Sequence, residues 1–524
     1  MIDLANAAQL VYFWFLVFNL IFIVALFIWH FKEIARPFKS INRRFLVLIL
    51  LLTLFGIYLR VTMSGRYGLD DLLWEHVRNA KSALNNFKFT SFTHPGGHSL
   101  LVALSFILAH NMDIENVSML TIFLDSLSIL LIFCISFLLF KKTEIALFSS
   151  LIFAILPWQI FISGMGLNII SSLFFFLLSV VILLVSKELR SKNLFYFSLI
   201  LLLWSAEIRV ENVMFIPLFL FTYFRTKYKV SKSFKYFLPL LIIFSLPVTV
   251  WISYSPVLFG PSSSIEGDGD FISFQNFLNN CVNYIIPHFF VNKYGNYYPT
   301  FVFLFSLLGL VLIVKHKESF YLLLLWSGIW SIVYGSFWYG SQIYRYSVLI
   351  HPLLATLSAC GFYVLFDYAS SSLAKKWKMI KTLWILFLLF IVFSTFSVKG
   401  LINPSSITSW PSIREFRTLE NEIEDDACIL MQKIKYGRYE NAVYLINKKR
   451  KFIEWPTKHD IFSFNCTKIY YLNLRNYAHP RYEDLKIYDK NQELLFQTYD
   501  PKKILEIKWL DVYEIAPKND SNLK

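Results

Sequence analysis

The chain reads as an α-helical polytopic membrane protein with about twelve transmembrane helices and a C-terminal soluble α+β domain. Three observations predict this. The hydrophobic fraction is 56% with a mean hydropathy of +0.52 over 524 residues, basic residues gather in short connections, and the composition changes abruptly after residue 398.

Apolar runs long enough to cross a bilayer lie at 10–31, 45–63, 117–140, 146–162, 169–186, 194–205, 213–224, 236–254, 300–314, 320–338, 347–366 and 380–398. The stretch 98–110 is also apolar. Its length of about 13 residues reaches only roughly 20 Å, short of a hydrocarbon core of about 30 Å, so it is expected as an interfacial or re-entrant helix.

Charge orients the spans. Lys32, Arg36, Lys39, Arg43 and Arg44 fill the first connection, and Arg225, Lys227, Lys229, Lys232 and Lys235 a later one, which places both on the cytoplasmic side. Lys141 with Lys142, Lys187 with Arg190 and Lys192, Lys315 with Lys317, and Lys375 with Lys376, Lys378 and Lys381 then fall on that same side, provided 98–110 does not cross. The formal charge of +15 and the pI near 9.3 are therefore a topology signal and call for no nucleic-acid partner. The first run lacks a basic segment before it and ends in a basic stop, so it is expected as a true span with an extracytoplasmic N-terminus.

The outer face should carry the loop 64–97 with the juxtamembrane helix 98–110, the turns 163–168 and 207–211, the loop 255–299 and the turn 337–346. Residues 1–402 form the membrane domain on this reading. Residues 403–524 form an extracytoplasmic α+β domain, opened by Asn403, Pro404 and Pro411 and an exposed charged helix at 414–426. Strands are expected there at 427–431, 442–446, 468–472, 493–498 and 504–515. Five cysteines are too few for a disulfide framework. Cys134 and Cys360 read as buried thiols in spans, while Cys428 and Cys466 share the outer domain, where a bond between them stays open. No Walker loop, GxGxxG or zinc spacing occurs, so ATP-driven transport and cytosolic nucleotide chemistry lose support.

The candidate chemistry sits in the outer loops. Asp70 and Asp71 open a stretch to residue 86 whose Leu72, Leu73, Val77, Ala80 and Leu84 recur at helical spacing, which predicts an amphipathic helix lying on the outer membrane surface. Adjacent carboxylates there suit general-base work, and equally suit simple capping of a helix start. Arg60 ends the preceding span and His94-Pro95 breaks the chain before the short helix. Glu207, Arg209 and Glu211 sit between short apolar runs, where charges must pair with one another or line a wet cavity. Arg345 and Tyr346 follow an aromatic turn that suits either an interfacial anchor or a grip on a lipid phosphate. Asp125, deep in an apolar span, reads as a buried hydrogen-bonded group outside this site.

In order, side and spacing these segments resemble the GT-C membrane glycosyltransferases, in particular the branch of protein O-mannosyltransferases and aminoarabinose transferases (family 39/83-like). Leu69-Asp70-Asp71 after Arg60 resembles that family's acidic first-loop motif, and His94-Pro95-Gly96-Gly97-His98-Ser99-Leu100-Leu101 its His-Pro-Pro segment. The run from Ile155-Leu156-Pro157-Trp158 to Ser163 resembles its Ser-Pro segment, Ile208-Arg209-Val210-Glu211 its Thr-Arg-Pro-Glu segment, and Arg345-Tyr346 its Arg-Tyr. The chain departs from the family at Asn168, where an Asp is frequent, at Asp71, where Glu is common, and in its extra leading span 10–31.

The resemblance implies a polyprenyl-phosphate-linked sugar donor arriving among the membrane lipids, and a lipid, glycan or protein acceptor on the extracytoplasmic face of the plasma (inner) membrane. It implies Asp70 as general base, assisted by Asp71, with inversion at the sugar. Arg345, and behind it Arg60 and Arg209, would hold the donor phosphate, and His94, Asn168, Glu207, Glu211 and Tyr346 would contact substrate. No cofactor is expected; a divalent metal, as in some relatives, would fall to Asp70, Asp71, His94 or His98. Two other classes compete. A lipid-linked glycan flippase or solute carrier would line the bilayer midplane with charge, and an outer-face scaffold would act through the C-terminal domain.

Overall fold

The computed structural model describes residues 2–63, 71–89, 95–226, 239, 241–247, 249, 274–280, 300–315, 317–335, 347–370, 423–424, 427–432, 451–455, 467–474, 492–507 and 510–517. The chain divides into two compact units: 1–64, 75–112 and 116–404 in one, and 65–74, 113–115 and 405–524 in the other. The first is helical. It contains α1 (Ile2–Ala35), α2 (Arg43–Met63), α3 (Asp71–Asn86), α4 (Gly97–Ala109), α5 (Ile114–Phe140), α6 (Thr143–Ile155), α7 (Pro157–Ser163), α8 (Asn168–Leu189) and α9 (Lys192–Ile208). After a 3-10 turn at Val210–Phe215 follow α10 (Ile216–Thr226), α11 (Phe274–Asn280), α12 (Thr300–Lys315), α13 (Lys317–Gly335), a 3-10 turn at Ser347–Leu349 and α14 (His351–Ser370). The second unit supplies the starts of α3 and α5.

Among the described residues four helices are long and apolar enough to cross a membrane, or five if one bent pair is a single span. α1 and α2 leave broad apolar faces uncovered, with Trp14, Ile21, Ile28 and Trp29 on one and Val47, Leu50, Leu54 and Tyr58 on the other. Patches of that extent belong against hydrocarbon, not water. α8 by contrast lies almost wholly inside protein. The chain is a membrane protein.

In the helical unit one expectation changes. The run 146–162 is not one helix: it breaks between α6 and α7 with a 59° bend. Pro157 has no N–H to continue the ladder and pushes Leu156 into an extended conformation, so the helix ends there. α3 is helical as expected, with Arg78 exposed, and it buries His76, Asn79 and Ser82 together with Val77, Ala80 and Ala83. Polar groups can be buried there because partners exist: His76 Nδ1 lies 2.9 Å from the Ser99 hydroxyl on α4. The short helix α4 is observed at the length that bars it from spanning. The run 236–254 is described only at 239, 241–247 and 249, and 380–398 lies outside the described residues.

Two glycines let α12 and α14 cross in contact. A methyl on Gly309 of α12 would overlap the Leu357 carbonyl of α14, and one on Gly361 the Phe305 carbonyl. Small residues at these two points let the backbones touch, the usual means of packing helices that share an apolar solvent. Ser306 and Ser358 then meet across the crossing at 2.8 Å.

The second unit carries a five-stranded sheet in the order β2-β1-β3-β5-β4, made of β1 (Cys428–Gln432), β2 (Lys451–Trp455), β3 (Ile469–Leu474), β4 (Tyr499–Ile507) and β5 (Leu510–Pro517). β1 runs parallel to β2 and β3, and β5 antiparallel to β3 and β4. Residues 492–498, expected as a strand, are helical, because Leu495 and Phe496 pack on the sheet while Leu494 stays exposed. The expected strand 504–515 is a hairpin that turns between Ile507 and Leu510. Strand β2 was not foreseen, and the expected strand 442–446 and the helix 414–426, apart from 423–424, fall outside the described residues. Cys428 is disulfide-bonded, while Cys134 and Cys360 are free thiols.

Gly361→Ala should force α12 and α14 apart and cost about 1–3 kcal/mol, the scale of an overpacked core. A thermal unfolding midpoint in detergent below that of wild type checks it; Gly328→Ala, with open space at its Cβ, should leave the midpoint unchanged.

Candidate functional site

Charged side chains pair at two ends of the bundle. At one end Lys141 pairs with Glu188, Lys142 Nζ donates to the Tyr363 hydroxyl at 3.0 Å, and Ser319 donates to the Leu139 carbonyl at 3.1 Å. At the other end, where α2, α7 and α9 finish and α8 and α14 begin, the candidate site residues collect.

Arg60 is the anchor of that end. It sits in the last turn of α2, and its guanidinium is fully buried, with Nε donating to Asp125 Oδ2 of α5 at 2.6 Å. Its Nη1 donates to the Ala154 carbonyl at 3.0 Å and to the Gly56 carbonyl at 3.2 Å. Ala154 lies in the last turn of α6, whose carbonyls lose their helical partners at the Pro157 break. Arg60 therefore caps a broken helix and neutralises a buried acid at once, the cation placed where a helix C-terminus favours one. Gln159 of α7 donates its amide to Asp125 Oδ1, and its Oε1 accepts from His351 Nδ1 of α14 at 2.6 Å. Arg60 Nη2 is buried without a partner.

The Pro95-Gly96-Gly97-His98 segment is gripped on all sides. A Cβ on Gly97 would stand 2.6 Å from the Glu207 carbonyl of α9, and one on Gly96 2.7 Å from the Phe89 ring, so both positions require glycine. The Gly96 N–H donates to the Tyr12 hydroxyl of α1 at 2.8 Å. His98 Nε2 donates to the Gly166 carbonyl at 3.2 Å, and the Ser171 hydroxyl of α8 donates to Nδ1 at 3.0 Å. These partners fix its tautomer. The His76 ring stands edge-on to it at 4.6 Å. Burial pushes the His98 imidazole down from 6.5 to about 4, opposed by its bond to the Gly166 carbonyl.

Beside this segment Arg209 Nη2 donates to Glu211 at 2.7 Å and Nη1 to Asn168 Oδ1 at 3.2 Å. Asn212 donates to the Ser172 hydroxyl at 2.6 Å and to that of Ser205 at 3.2 Å. Glu207 is buried. The Arg209 cluster is thus a set of paired charges and amides joining α8, α9 and the turn after it, with Asn168 supplying an acceptor.

Arg60, Asn168, Glu207, Arg209 and Glu211 therefore stand at one end of the bundle. Asp71 opens α3 at the backbone level. Asp70, His94, Arg345 and Tyr346 lie outside the described residues. Asp125 has the hydrogen-bonded, buried setting expected of it, and it pairs with Arg60 instead of leaving that guanidinium open to a phosphate. Gln159 and His351 were not foreseen. The signal was present for the pair: one acid inside an apolar run and one base at the end of another must find each other. Among the described residues no group of three His, Cys, Asp or Glu side chains stands together in a way that would hold a metal ion.

No family model matches the chain, and no curated protein matches it in sequence. Solved structures do. The oligosaccharyltransferase of Archaeoglobus fulgidus in its apo form is 12% identical with a TM-score of 0.51, over 92% of this chain and 75% of that one. The same enzyme tethered by a disulfide to an acceptor peptide with the NVT sequon gives 12%, 0.50, 92% and 74%. Apo ArnT from Cupriavidus metallidurans is 9% identical with a TM-score of 0.53, over 90% of this chain and 97% of that one. The chain shares the fold of these two membrane enzymes.

Arg60→Met should cost about 3–5 kcal/mol by stranding the Asp125 carboxylate in the interior, and Arg60→Met with Asp125→Leu should recover most of it. Thermal unfolding of the three proteins in detergent checks this. His98 is held neutral, so its contribution to stability is full above pH 6.5 and lost as pH falls toward about 4. The unfolding midpoint of wild type should drop across that window, and that of His98→Gln should drop less.

Proposed function

We propose that the protein is an integral membrane glycosyltransferase that moves a sugar from a polyprenyl-phosphate donor to an acceptor on the extracytoplasmic face. The observation that carries this reading is the GT-C fold shared with ArnT across nearly the whole of both chains, joined to an acidic pair in the first loop. Fold alone does not specify chemistry, so the site must supply it.

In the proposed reaction the acceptor oxygen attacks the anomeric carbon as Asp70 takes its proton. The bond from that carbon to the phosphate oxygen breaks, and polyprenyl phosphate leaves with the electron pair from the opposite side, inverting the centre. Asp71 orients the acceptor. Negative charge grows on the phosphate in the transition state, so a guanidinium aimed there stabilises it more than it does the bound donor. Arg345 is assigned that task. The Asn168, Arg209 and Glu211 cluster and Glu207 support the acceptor side, with His94 and Tyr346.

Two features support the orientation. The basic residues Lys141 and Lys142 stand at the end of the bundle opposite to the Arg209 cluster, as expected if that first end is cytoplasmic. The disulfide at Cys428 suits a C-terminal unit in an oxidising compartment, outside the cytoplasm.

Asp70→Asn, at membrane abundance matched to wild type, should abolish transfer: one polyprenyl-phosphate sugar accumulates in host membranes and one sugar disappears from the surface glycans or proteins. Unchanged donor and surface sugar would point to a carrier or a scaffold. Arg345→Lys should keep the charge, lose the planar two-pronged contact and lower transfer by roughly 100-fold. Activity near wild type would remove Arg345 from the phosphate.

A further inference from the structure

The connection between α1 and α2 has no part in the proposed reaction, and it is built more firmly than a topology signal requires. Positive charge alone holds a loop on one side of a membrane, whatever the shape of the loop. Here α1 passes straight into the 3-10 turn Arg36–Ser40, with Pro37 at its start and Ser40 Oγ donating to the Pro37 carbonyl at 3.4 Å. Three apolar side chains fasten this turn to the bundle. Ile34 and Ile41 are buried on either side of it, and the Phe38 ring lies 6.1 Å from the Phe137 ring of α5. Asn42 then caps α2, its Oδ1 accepting from the Arg44 N–H at 3.0 Å.

With its apolar side turned in, the connection turns its cations out. Lys32, Arg36, Lys39 and Arg43 are exposed, and among the described residues none of the four meets a carboxylate. Glu33, the one acid between Lys32 and Arg43, lies instead 3.5 Å from Nδ1 of His30. A neighbouring cation behaves differently. Lys141 Nζ stands 5.7 Å from the centre of the same Phe137 ring that Phe38 touches, and it pairs with Glu188.

Beside these charges the apolar surface is bare. Ile28, Trp29 and Phe31 near the end of α1 are exposed, as are Leu46, Val47 and Leu50 near the start of α2. α1 packs on α4 and α9, while α2 packs on α6 and α7, so each helix leads its own apolar stripe away from the charged turn. Fixed positive charge at the head of such stripes complements a negative headgroup joined to acyl chains. A soluble acidic segment would match the charge alone, and a zwitterionic lipid the stripes alone.

We propose that the connection between α1 and α2 is a binding site for an anionic phospholipid, with Lys32, Arg36, Lys39 and Arg43 holding the headgroup phosphate and the acyl chains lying along the bare stripes. Arg36 and Arg43 supply planar two-pronged donors, and Lys32 and Lys39 supply point charges. The site stands apart from the proposed reaction and does not depend on it. A lipid held there braces one end of α1, whose other end holds the Gly96 N–H through Tyr12.

The test titrates full-length protein in detergent with cardiolipin, which carries two phosphates and no compensating cation, or with phosphatidylcholine, and counts the lipids retained by native mass spectrometry. Wild type should retain cardiolipin at least about tenfold more tightly than phosphatidylcholine. The combined Lys32→Gln, Arg36→Gln, Lys39→Gln and Arg43→Gln variant should retain the two lipids equally. Phe38→Ala keeps every charge but loosens the turn, and it should weaken cardiolipin retention by about tenfold. The thermal unfolding midpoint in detergent shows whether each variant is folded. Equal retention of the two lipids by wild type would overturn the site, as would wild-type retention of cardiolipin by the folded four-Gln variant. A folded Phe38→Ala protein that binds like wild type would overturn it too, because diffuse charge would then suffice. Should one variant fail to fold, the other decides.

Discussion

The buried pair of Arg60 and Asp125 is the constraint on which this end of the bundle depends. Neither charge is tolerable in an apolar interior alone, so the position of each fixes the other. Through its remaining N–H groups Arg60 also takes up the Ala154 carbonyl that the Pro157 break releases. One guanidinium thus joins α2 to α5 and to the last turn of α6, and Gln159 extends the join to α14. A bend of 59° can be kept there because its loose polar ends have partners.

Close backbone contact is the second device. Gly97 lets the start of α4 rest on the Glu207 carbonyl, and Gly96 lets Tyr12 and Phe89 close over the same segment. The leading helix α1 acquires a purpose from this arrangement. It covers the Pro95 to His98 segment from outside with Tyr12, while Phe13 and Trp14 pack edge-on and stacked on Phe89 and Phe87. This leading helix thereby steadies a segment inside the proposed site.

How much was legible varied with the physics of each element. The length of the α4 stretch was enough to bar it from spanning, because rise per residue is a fixed number. The short β-rich runs 427–431 and 468–472 predicted β1 and β3. The stretch 493–498 carries strand-like composition as well, yet it lies as a helix on the sheet, since burial of Leu495 and Phe496 outweighs a weak local preference. Likewise α3 showed its helical period and its Val77 and Ala80 stripe. That His76 and Asn79 would also be buried depended on Ser99 and other groups from a distant part of the chain.

The sequence by itself determined the membrane class, the length that bars the α4 stretch from spanning, and the gathering of Lys and Arg in one set of connections. These follow from hydropathy, helix rise and charge, which act locally or sum along the chain. Only the tertiary structure decided which charge answers which. Arg60 and Asp125 are 65 residues apart, Gln159 and His351 192 apart, and their pairing is a matter of where helices cross. The cost of an unpaired polar group in a low-dielectric interior selects those crossings, and it is a property of the folded interior that no short window of sequence contains.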